Sequence, residues 1–304
     1  MMEKISILIV NYNNGKYFAD CYYSIINQTY DNWEVVIIDD ASTDDSLEII
    51  QKIIGSDSRF RLYKNQVNKG CGTVKRKCIE YAVGEIAAFL DPDDALYPTA
   101  LERSVQSYSK NGNIVATYTR VMMCDEYLNP QKPMKGIKQV YNTPYFFNCP
   151  IQVSHFFTFK KETYLKTQGI NPDLRNAVDQ DLYLKILEHG NPLFINENLY
   201  YYRCHSKGIS QHKSKHSAKE SFARVIYESM VRRNINKINY SKIPDRYNNS
   251  AEIYSLLNYQ QDFFYRLKIK FKFYFQQRGL LSISSLIRYC SEKLQKNRNS
   301  ECCD

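Results

Sequence analysis

The stretch GEIAAFLDPDD, residues 84–94, joins a short apolar run directly to three aspartates. An apolar run of this length, bounded by polar residues, is typical of a strand that is buried on both faces of a parallel sheet. The pattern occurs twice upstream, where residues 6–10 (SILIV) precede Asn11 and residues 33–38 (WEVVII) precede Asp39. These runs predict three core strands, each followed by polar side chains.

Helical patterns separate these strands. Apolar residues recur at helical spacing in residues 16–27, 47–54 and 71–83, and a further strand is predicted at residues 59–63. Ser42 or Thr43 could cap the second of these helices. Alternating strands and helices predict an α/β fold, with a mostly parallel sheet flanked by helices. Ligands bind such sheets at the carboxyl ends of the strands, where the three polar clusters lie.

The second half of the chain has a looser pattern. Strands are predicted at residues 114–120, 155–160 and 193–202, and helices at residues 100–109 and 178–188. Residues 129–143 are polar and contain proline, which predicts a flexible loop. Because the composition changes near residue 212, we predict a domain at residues 1–212, with halves at 1–96 and 97–212. A mainly helical extension follows at residues 213–304.

Charge and cysteine content narrow the class of protein. The net charge of +9 lies in the extension, since the residues from Lys213 onward include 18 Lys and Arg against 8 Asp and Glu. A basic surplus in one segment indicates an anionic partner, such as phospholipid headgroups or nucleic acid. Nine cysteines without a C-x-x-C pair indicate a reducing compartment. With no signal-peptide pattern and no apolar run of ~18–20 residues, the sequence predicts a cytoplasmic protein.

Asp91, Asp93 and Asp94 place three carboxylates within four residues at the end of a predicted strand. Neighbouring carboxylates repel one another when ionised, so they need a cation or hydrogen-bond donors. Oxygen ligands suit Mn²⁺ or Mg²⁺, which bind one or two carboxylates together with substrate phosphates. The alternative is an Asp-rich turn that caps the helix beginning near Pro98.

Several motifs in order resemble the nucleotide-sugar-binding half of glycosyltransferase family 2. They are SILIVNYN (6–13), QTY (28–30), VVIIDDASTD (35–44), NKG (68–70) and GEIAAFLDPDD (84–94). DQDL (179–182) and YYRCH (201–205) resemble the acceptor side of the same family. The resemblance covers residues 4–210 and implies a GT-A fold. It also implies an inverting transfer of a sugar from a nucleotide-sugar donor, such as a UDP-sugar, to an acceptor hydroxyl.

The resemblance implies roles for residues that would contact the nucleotide. Asn11, Tyr12 and Asn13 would line the nucleotide pocket, and a tyrosine there can stack on a base. Asp40 would accept a hydrogen bond from uracil, and Arg76 would approach the base or the diphosphate. From the residues alone, Tyr12 and Arg76 could equally be a packed loop residue and a solvated helix charge.

The resemblance also implies a metal site. Asp93 and Asp94 would contact metal and ribose with Asp91 nearby, and the D-x-D-D string leaves two frames open for the metal ligand. His205 would add an imidazole ligand or a contact with the diphosphate, although a single His after a strand is often structural. Arg203 would help to neutralise the diphosphate. A bound Mn²⁺ or Mg²⁺ would act as a Lewis acid on the departing phosphate.

Asp179 matches the acidic residue that serves as the general base in this family. An inverting transfer needs one carboxylate to take the proton of the acceptor hydroxyl. Asp181, two residues later, is the alternative base, and Asp179 could instead cap the helix that begins near it.

The sequence fits other functions less well. A sugar nucleotidyltransferase should have a Gly-rich loop with Arg and Lys after the first strand, where this chain has NYNNGKY. A non-catalytic nucleotide-sugar-binding partner would not need Asp179. The extension lacks motifs for nucleic acid, so we expect no nucleic-acid partner. The expected acceptor is a glycan or a lipid-linked sugar in cell-surface polysaccharide or glycolipid synthesis, and a homo-oligomer is possible.

The extension carries two segments that suit a membrane surface. Residues 280–294 place apolar residues on one helical stripe beside Arg288 and Lys293, and residues 267–275 interleave three lysines with large apolar residues. Basic residues near anionic lipid contribute about 1 kcal/mol each. We therefore predict peripheral binding at the inner face of the membrane. The alternative is that the stripe packs on the catalytic domain or a second subunit.

Overall fold

The computed structural model describes residues 3–142, 153–205, 215–238 and 240–257. Within these residues, nine strands form one sheet in the order β3-β2-β1-β4-β8-β6-β9-β5, and β7 pairs with β6. The strands are β1 (Ile5–Asn11), β2 (Trp33–Asp39), β3 (Phe60–Lys64), β4 (Ile86–Phe89), β5 (Ala95–Leu96), β6 (Ile114–Cys124), β7 (Pro130–Pro133), β8 (Thr158–Lys160) and β9 (Asn191–Arg203). A separate pair consists of β10 (Lys237–Ile238) and β11 (Ser241–Lys242).

Helices flank the large sheet. They are α1 (Phe18–Ile26), α2 (Ser46–Ile54), α3 (Cys71–Tyr81), α4 (Ala100–Lys110), α5 (Lys161–Leu165), α6 (Val178–Leu187), α7 (Lys215–Arg232) and α8 (Ser250–Leu256). The predicted α/β class is confirmed, and most of the predicted helices and strands form within a few residues of the expected bounds. The strand expected at residues 155–160 is shorter than predicted and begins at Thr158.

The strands that carry the polar clusters are parallel and lie side by side. β1 pairs in parallel with β2 on one side and with β4 on the other, and Asn11 is the register partner of Asp39. All residues of β2 and β4 are buried, which accounts for their continuous apolar sequence. Since parallel strands end at the same edge, the residues after β1, β2 and β4 meet there, as the sequence predicts.

Two local predictions are wrong. The segment predicted as a flexible loop contains β7, which pairs antiparallel with β6, and it buries Ile137 and Val140. The hydroxyl of Tyr118, which lies fully buried in β6, donates to the Lys138 carbonyl and accepts from the backbone N–H of Val140. The packing of these few apolar residues overrides the polar, proline-containing local sequence.

The cap predicted for the second helix is also different. Helix α2 begins at Ser46, and neither Ser42 nor Thr43 caps it. Both side chains instead bond to residues that follow β1. A tertiary partner therefore takes the hydroxyl groups that the local sequence assigned to a helix end.

The first part of the extension packs against the domain. Ala223, Val225, Ile226 and Met230 of α7 are buried and belong to the same apolar core as the sheet. The guanidinium of Arg232 makes a two-pronged contact with Glu188, which also accepts a hydrogen bond from Ser229 at 2.8 Å. The boundary predicted near residue 212 thus lies before a helix that is part of the core.

The amphipathic segments predicted at residues 267–275 and 280–294 lie outside the described residues. Within the part of the chain that is described, no helix combines the length and the apolar character that a membrane span requires. Free thiols occur in that part at Cys21, Cys71, Cys78, Cys124 and Cys204.

Candidate active site

The loops after β1 and β2 are tied together by hydrogen bonds. The amide of Asn11 donates to Asp39 Oδ2 at 2.8 Å, and Asn11 is fully buried. The backbone N–H of Asn13 donates to Ser42 Oγ at 2.9 Å, and its side-chain oxygen accepts from the backbone N–H of Thr43 at 2.8 Å. These contacts fix the shape of the two loops at the sheet edge.

Tyr12 stands out from this network because its side chain remains accessible. It is 48% exposed between the buried Asn11 and the loop residue Asn13. Asn13 and Ala41 both adopt left-handed backbone conformations, with φ of 54° and 63°. Non-glycine residues in this conformation carry strain and occur often at binding sites. Of the three residues predicted for the nucleotide pocket, Asn11 organises the loops, while Tyr12 and Asn13 are exposed.

Asp40 lies buried at the base of a neighbouring loop. Its Oδ1 accepts from the Asn65 amide at 2.8 Å and from the Lys69 N–H at 2.9 Å, and its Oδ2 accepts from the Gly70 N–H at 2.9 Å. Both carboxylate oxygens thus hold residues 65–70 against the end of β2. The structure places Asp40 beside Asn11–Asn13, as predicted, but with its hydrogen-bonding capacity largely used by the protein.

Asp94 points into the protein. Its two oxygens accept hydrogen bonds from the Tyr200 hydroxyl at 2.6 Å and from the backbone N–H of Arg203 at 2.8 Å. Burial, together with the charges of Asp93 and Asp91, raises the pKa of Asp94 well above its usual value. The prediction of Asp94 as a metal ligand is not supported by this placement, because its oxygens link β9 to the loop after β4.

Asp93 points the other way, toward His205. Its Oδ2 lies 2.8 Å from His205 Nε2, and the Asp93 side chain is 18% exposed. The imidazole packs against the ring of Tyr17 at 4.8 Å. The second ring nitrogen, Nδ1, is buried and has no hydrogen-bond partner among the residues that the structure describes. Of the two frames of the D-x-D-D string, the structure favours the one that uses Asp93.

Asp93 and His205 could hold a divalent cation. Among the described residues, no group of three or more His, Cys, Asp or Glu side chains converges on a common point. Mn²⁺ and Mg²⁺ do not need such a group, since they commonly take one or two protein ligands and complete their shell with phosphate and water. A carboxylate beside an imidazole, with a buried ring nitrogen left unpaired, fits a cation of this kind.

Arg203 is a structural residue at this edge. Its side chain is 2% exposed, and its nitrogens donate to the Asp93 carbonyl at 2.7 Å, the Glu126 carbonyl at 2.6 Å and the Asp20 carboxylate at 2.6 Å. The predicted contact between Arg203 and a diphosphate is therefore not supported. The guanidinium instead joins helix α1, the loop after β4 and the loop after β6.

A buried lysine, which the sequence analysis did not single out, faces the carboxylates. Lys75 Nζ lies 2.5 Å from Asp179 Oδ1 and 4.0 Å from Asp91 Oδ1, and its side chain is only 5% exposed. Arg76, the next residue, lies on the outside of α3, where it approaches the Ile170 carbonyl at 3.4 Å and Glu80 at 3.9 Å. The predicted approach of Arg76 to the base or the diphosphate stays a prediction.

The sequence contains a signal for Lys75. It lies on the same helical stripe as Val74, Cys78 and Ile79, which is the buried face of α3. A lysine on an apolar face must be paired, since an isolated buried charge is costly. Gly72 brings this helix close to the second half of the chain, because a Cβ there would lie 2.5 Å from the Asn171 carbonyl oxygen.

The Lys75–Asp179 pair is held in its charged form. Burial would raise the pKa of Asp179, but the charges of Lys75 and His155 outweigh it, so that this pKa lies below its usual value. Burial alone would likewise lower the pKa of Lys75, yet Asp179 and Asp91 raise it well above normal. Asp179 is therefore ionised at neutral pH.

Asp181 and the start of α6 have partners other than the carboxylate cluster. Asp181 is fully buried, where its Oδ2 accepts from Lys185 and from the backbone N–H of Asn171, each at 2.8 Å. The residue before α6 is Ala177, and the Asp179 side chain bonds to Lys75 rather than to the helix end. Of the two aspartates, only Asp179 faces the carboxylate cluster.

Two further aromatic residues complete this edge and were missed by the sequence reasoning. His155 stacks on Tyr200 with ring centres 4.9 Å apart, close enough for its charge to act on Asp91 and Asp179. Tyr17 lies between His205 and the guanidinium of Arg203, whose Cζ is 4.6 Å from the ring centre. Neither residue belongs to a motif, so only their neighbours reveal them.

Comparison with known proteins agrees with the resemblance. The model of glycosyl transferase family 2 matches residues 6–166. A chondroitin synthase from Escherichia coli is 33% identical over 243 residues, covering 79% of this chain and 34% of that protein. A hyaluronan synthase from Pasteurella multocida is 31% identical over 245 residues, covering 79% and 24%. The chain thus spans only a quarter to a third of the length of these relatives.

Solved structures share the fold. A structure of Staphylococcus aureus TarS 1–349 with UDP-GlcNAc superposes with a TM-score of 0.65 at 18% identity, over 84% of this chain and 71% of that one. A Pyrobaculum calidifontis mannosyltransferase, PcManGT, in complex with GDP-Man and Mn²⁺ gives a TM-score of 0.57 at 13% identity, over 97% and 81%. These likenesses confirm the predicted GT-A fold. From the family match over more than half of the sequence, this chain belongs to glycosyltransferase family 2.

Proposed function

We propose that this chain is an inverting glycosyltransferase that moves a sugar from a nucleotide-sugar donor to a hydroxyl of a glycan acceptor. The observation that carries the proposal is the ionised Asp179 carboxylate, held by the buried Lys75 beside the Asp91–Asp94 loop. A general base needs to be unprotonated, fixed in place and close to the donor. The ionised state of Asp179 and its contact with Lys75 support this role.

Different loops at the sheet edge would bind the nucleoside and the metal. The loops after β1 and β2, with the exposed Tyr12 and Asn13 and the buried Asp40, would take the nucleoside of a UDP-sugar. Asp93 and His205 would hold Mn²⁺ or Mg²⁺, which would supply Lewis-acid stabilisation to the leaving diphosphate. The TarS structure in complex with UDP-GlcNAc and the mannosyltransferase structure with GDP-Man and Mn²⁺ support a nucleotide-sugar donor and a metal.

Asp179 would take the proton of the acceptor. Its Oδ1 is paired with Lys75, and its Oδ2 accepts no hydrogen bond from the described residues. The acceptor hydroxyl would donate to Oδ2 while its oxygen attacks the anomeric carbon, and the nucleotide diphosphate would leave from the opposite face. Because a single displacement needs no second nucleophile, the anomeric configuration of the product would be inverted.

The acceptor class is suggested by the relatives. The similarity to a chondroitin synthase and a hyaluronan synthase leads us to propose an acceptor that is a growing polysaccharide or glycolipid. We also propose that the basic extension from Lys213 onward holds the enzyme at the inner face of an anionic membrane. A second subunit is the alternative partner of that extension.

The test is a transfer assay with a panel of UDP- and GDP-sugars as donors. Tetrasaccharides of chondroitin and hyaluronan serve as acceptors, with Mn²⁺, Mg²⁺ or EDTA. We expect metal-dependent transfer from at least one donor, and an inverted product by NMR of the anomeric proton. Metal-dependent nucleotide-sugar binding without transfer or hydrolysis for any donor would instead favour a non-catalytic binding partner. Retention of configuration would contradict the single-displacement mechanism.

A further inference from the structure

A short hairpin at the edge of the active site is held in one shape by its own hydrogen bonds. It comprises residues 124–130, between β6 and β7, and is called the Tyr127 hairpin below. Asp125 Oδ1 accepts from the backbone N–H groups of Tyr127 and Asn129, both at 2.9 Å, and Asp125 Oδ2 accepts from the Asn129 amide at 2.9 Å. Leu128 takes a left-handed conformation with φ of 62° at the tip.

The Tyr127 hairpin is attached to the active site through Glu126. The Glu126 carbonyl accepts from Arg203 Nη1 at 2.6 Å, and Nε of the same arginine donates to the Asp93 carbonyl. The Glu126 carboxylate accepts from the hydroxyl of Tyr17 at 3.1 Å, and Tyr17 also packs on His205. The residue next to Tyr127 is therefore bonded to both residues that support the Asp93–His205 pair.

In the sheet order, β4 and β8 separate β6 from β1 and β2, and the Tyr127 hairpin also contacts Tyr17, which follows the loop after β1. The loops after β1 and β2 lie on one side of the loop after β4, whereas the ends of β6 and β9 lie on the other. A donor with its nucleoside at β1 and β2 and its diphosphate near Asp93 would point its sugar away from the nucleoside. The region between β4 and β6 is then left for the acceptor.

Tyr127 presents a large aromatic side chain to solvent at this position. It is 81% exposed, although its backbone is fixed and its neighbours are bonded into the site. The face of an aromatic ring carries partial negative charge, which attracts the polarised C–H groups on the flat side of a pyranose. A rigid element that holds such a ring beside a reaction centre is the arrangement that a binding site needs.

We propose that Tyr127 is an acceptor-binding residue that stacks on a pyranose ring of the acceptor glycan. This inference rests on the proposed glycosyltransferase function and adds a subsite to it. The hairpin fixes the backbone of Tyr127 before the acceptor binds, so that only the side chain has to be ordered on binding. The subsite acts on acceptor affinity and makes no contact with the donor nucleotide.

The test compares Tyr127→Ala with Tyr127→Phe in the full chain. With chondroitin and hyaluronan tetrasaccharides as probes, we expect the alanine variant to raise the acceptor KM about tenfold, in line with the contribution of one stacked ring. The phenylalanine variant keeps the ring and should stay within about twofold of the wild type. Tyr23→Ala, which removes a 58% exposed tyrosine from α1, is the matched control.

Donor affinity separates this inference from the proposed function. The dissociation constant of UDP, measured by calorimetry with Mn²⁺, should be the same in the Tyr127 variants and the wild type. An unchanged acceptor KM in Tyr127→Ala, or a weaker affinity for UDP, would overturn the acceptor subsite. Failure of the wild type to bind either tetrasaccharide at millimolar concentration, with UDP binding intact, would also overturn it. Loss of UDP binding by the wild type would instead refute the proposed function.

Discussion

The ammonium nitrogen of Lys75 lies 2.5 Å from Oδ1 of Asp179, although the two residues are 104 positions apart in the sequence. Lys75 belongs to α3, in the half of the domain predicted to bind the nucleotide sugar. Asp179 belongs to the first turn of α6, in the half predicted to bind the acceptor. This ion pair connects the two halves at the point where the proposed transfer takes place.

Replacing Lys75 with methionine should shift the pH dependence of transfer. In the wild type the pKa of Asp179 is below its usual value of about 3.9, so kcat/KM should be flat from pH 5 to 8. Without the lysine, the effect of burial is no longer offset by that charge, so the pKa of Asp179 should rise and the acidic limb should move to higher pH. A pH–rate profile measures the effect, with Lys77→Met on the same helix as the control.

The Lys75→Met variant should also change how the stability of the fold depends on pH. A carboxylate with a lowered pKa stabilises the fold above its unfolded pKa, and this contribution is lost as the pH falls through the lowered value. The Lys75–Asp179 pair should therefore contribute fully at neutral pH and progressively less below about pH 4. Thermal unfolding of wild type and Lys75→Met at pH 7 and pH 3.5 should show a difference that shrinks at the lower pH. A difference independent of pH would mean that packing, not charge, accounts for the loss.

Substitution of the two aspartates of α6 should affect different properties, the rate of transfer for Asp179 and thermal stability for Asp181. Asp179→Asn should slow transfer by about 10²–10⁴-fold with little change in nucleotide binding, because it removes the base alone. Asp181→Asn should mainly lower thermal stability, because Lys185 then lies buried without its carboxylate partner. Transfer rates and melting temperatures of both variants decide between the two roles. A large kinetic defect in a normally stable Asp181→Asn would move the base to Asp181.

In the loop after β4, Asp93 and Asp94 should also have different roles, one in metal binding and one in stability. Asp93→Ala and His205→Ala should weaken Mn²⁺ binding, measured by electron paramagnetic resonance, while leaving the fold intact. Asp94→Ala should lower the melting temperature, because Tyr200 and the Arg203 N–H lose their acceptor. Unchanged Mn²⁺ affinity in both Asp93→Ala and His205→Ala would exclude this pair as the metal site.

Helix α7 should be needed for a stable domain. A chain ending at residue 212 lacks Ala223, Val225, Ile226 and Met230, which are buried in the common core, and it leaves Glu188 without Arg232. Burial of one large aliphatic side chain contributes about 1.5–3 kcal/mol to stability. The loss of several such side chains therefore exceeds the free energy of unfolding of many domains. We expect the chain ending at residue 212 to aggregate or to melt without cooperativity. A chain ending at residue 262 should melt as a folded protein.

The chain ending at residue 262 also tests membrane binding. The full chain should co-sediment with vesicles that contain anionic lipid, and the bound fraction should fall with added salt because the attraction is electrostatic. The shortened chain lacks residues 267–275 and 280–294 and should remain in the supernatant. Equal sedimentation of both chains would show that these segments are not the membrane anchor.

The sequence by itself determined the architecture and the edge at which the site lies. Continuous apolar runs identify the buried strands, since a parallel strand covered on both faces leaves no polar position. The polar residues directly after those runs must share one edge, because parallel strands end together. The placement of Asn11, Asp40 and Asp93 at one edge follows from this rule, and the order of the motifs identified the family.

Only the tertiary structure decided which residue of each neighbouring pair faces the site. Lys75 and Arg76, Asp93 and Asp94, and Asp179 and Asp181 are all similar in local sequence, but the members of each pair point in different directions. The choice depends on how α3 and α6 rotate against the sheet and on partners more than 100 residues away, such as Tyr200 for Asp94. Side-chain direction changes by about 100° per residue along a helix. Packing between distant segments therefore sets the direction that the local sequence leaves open.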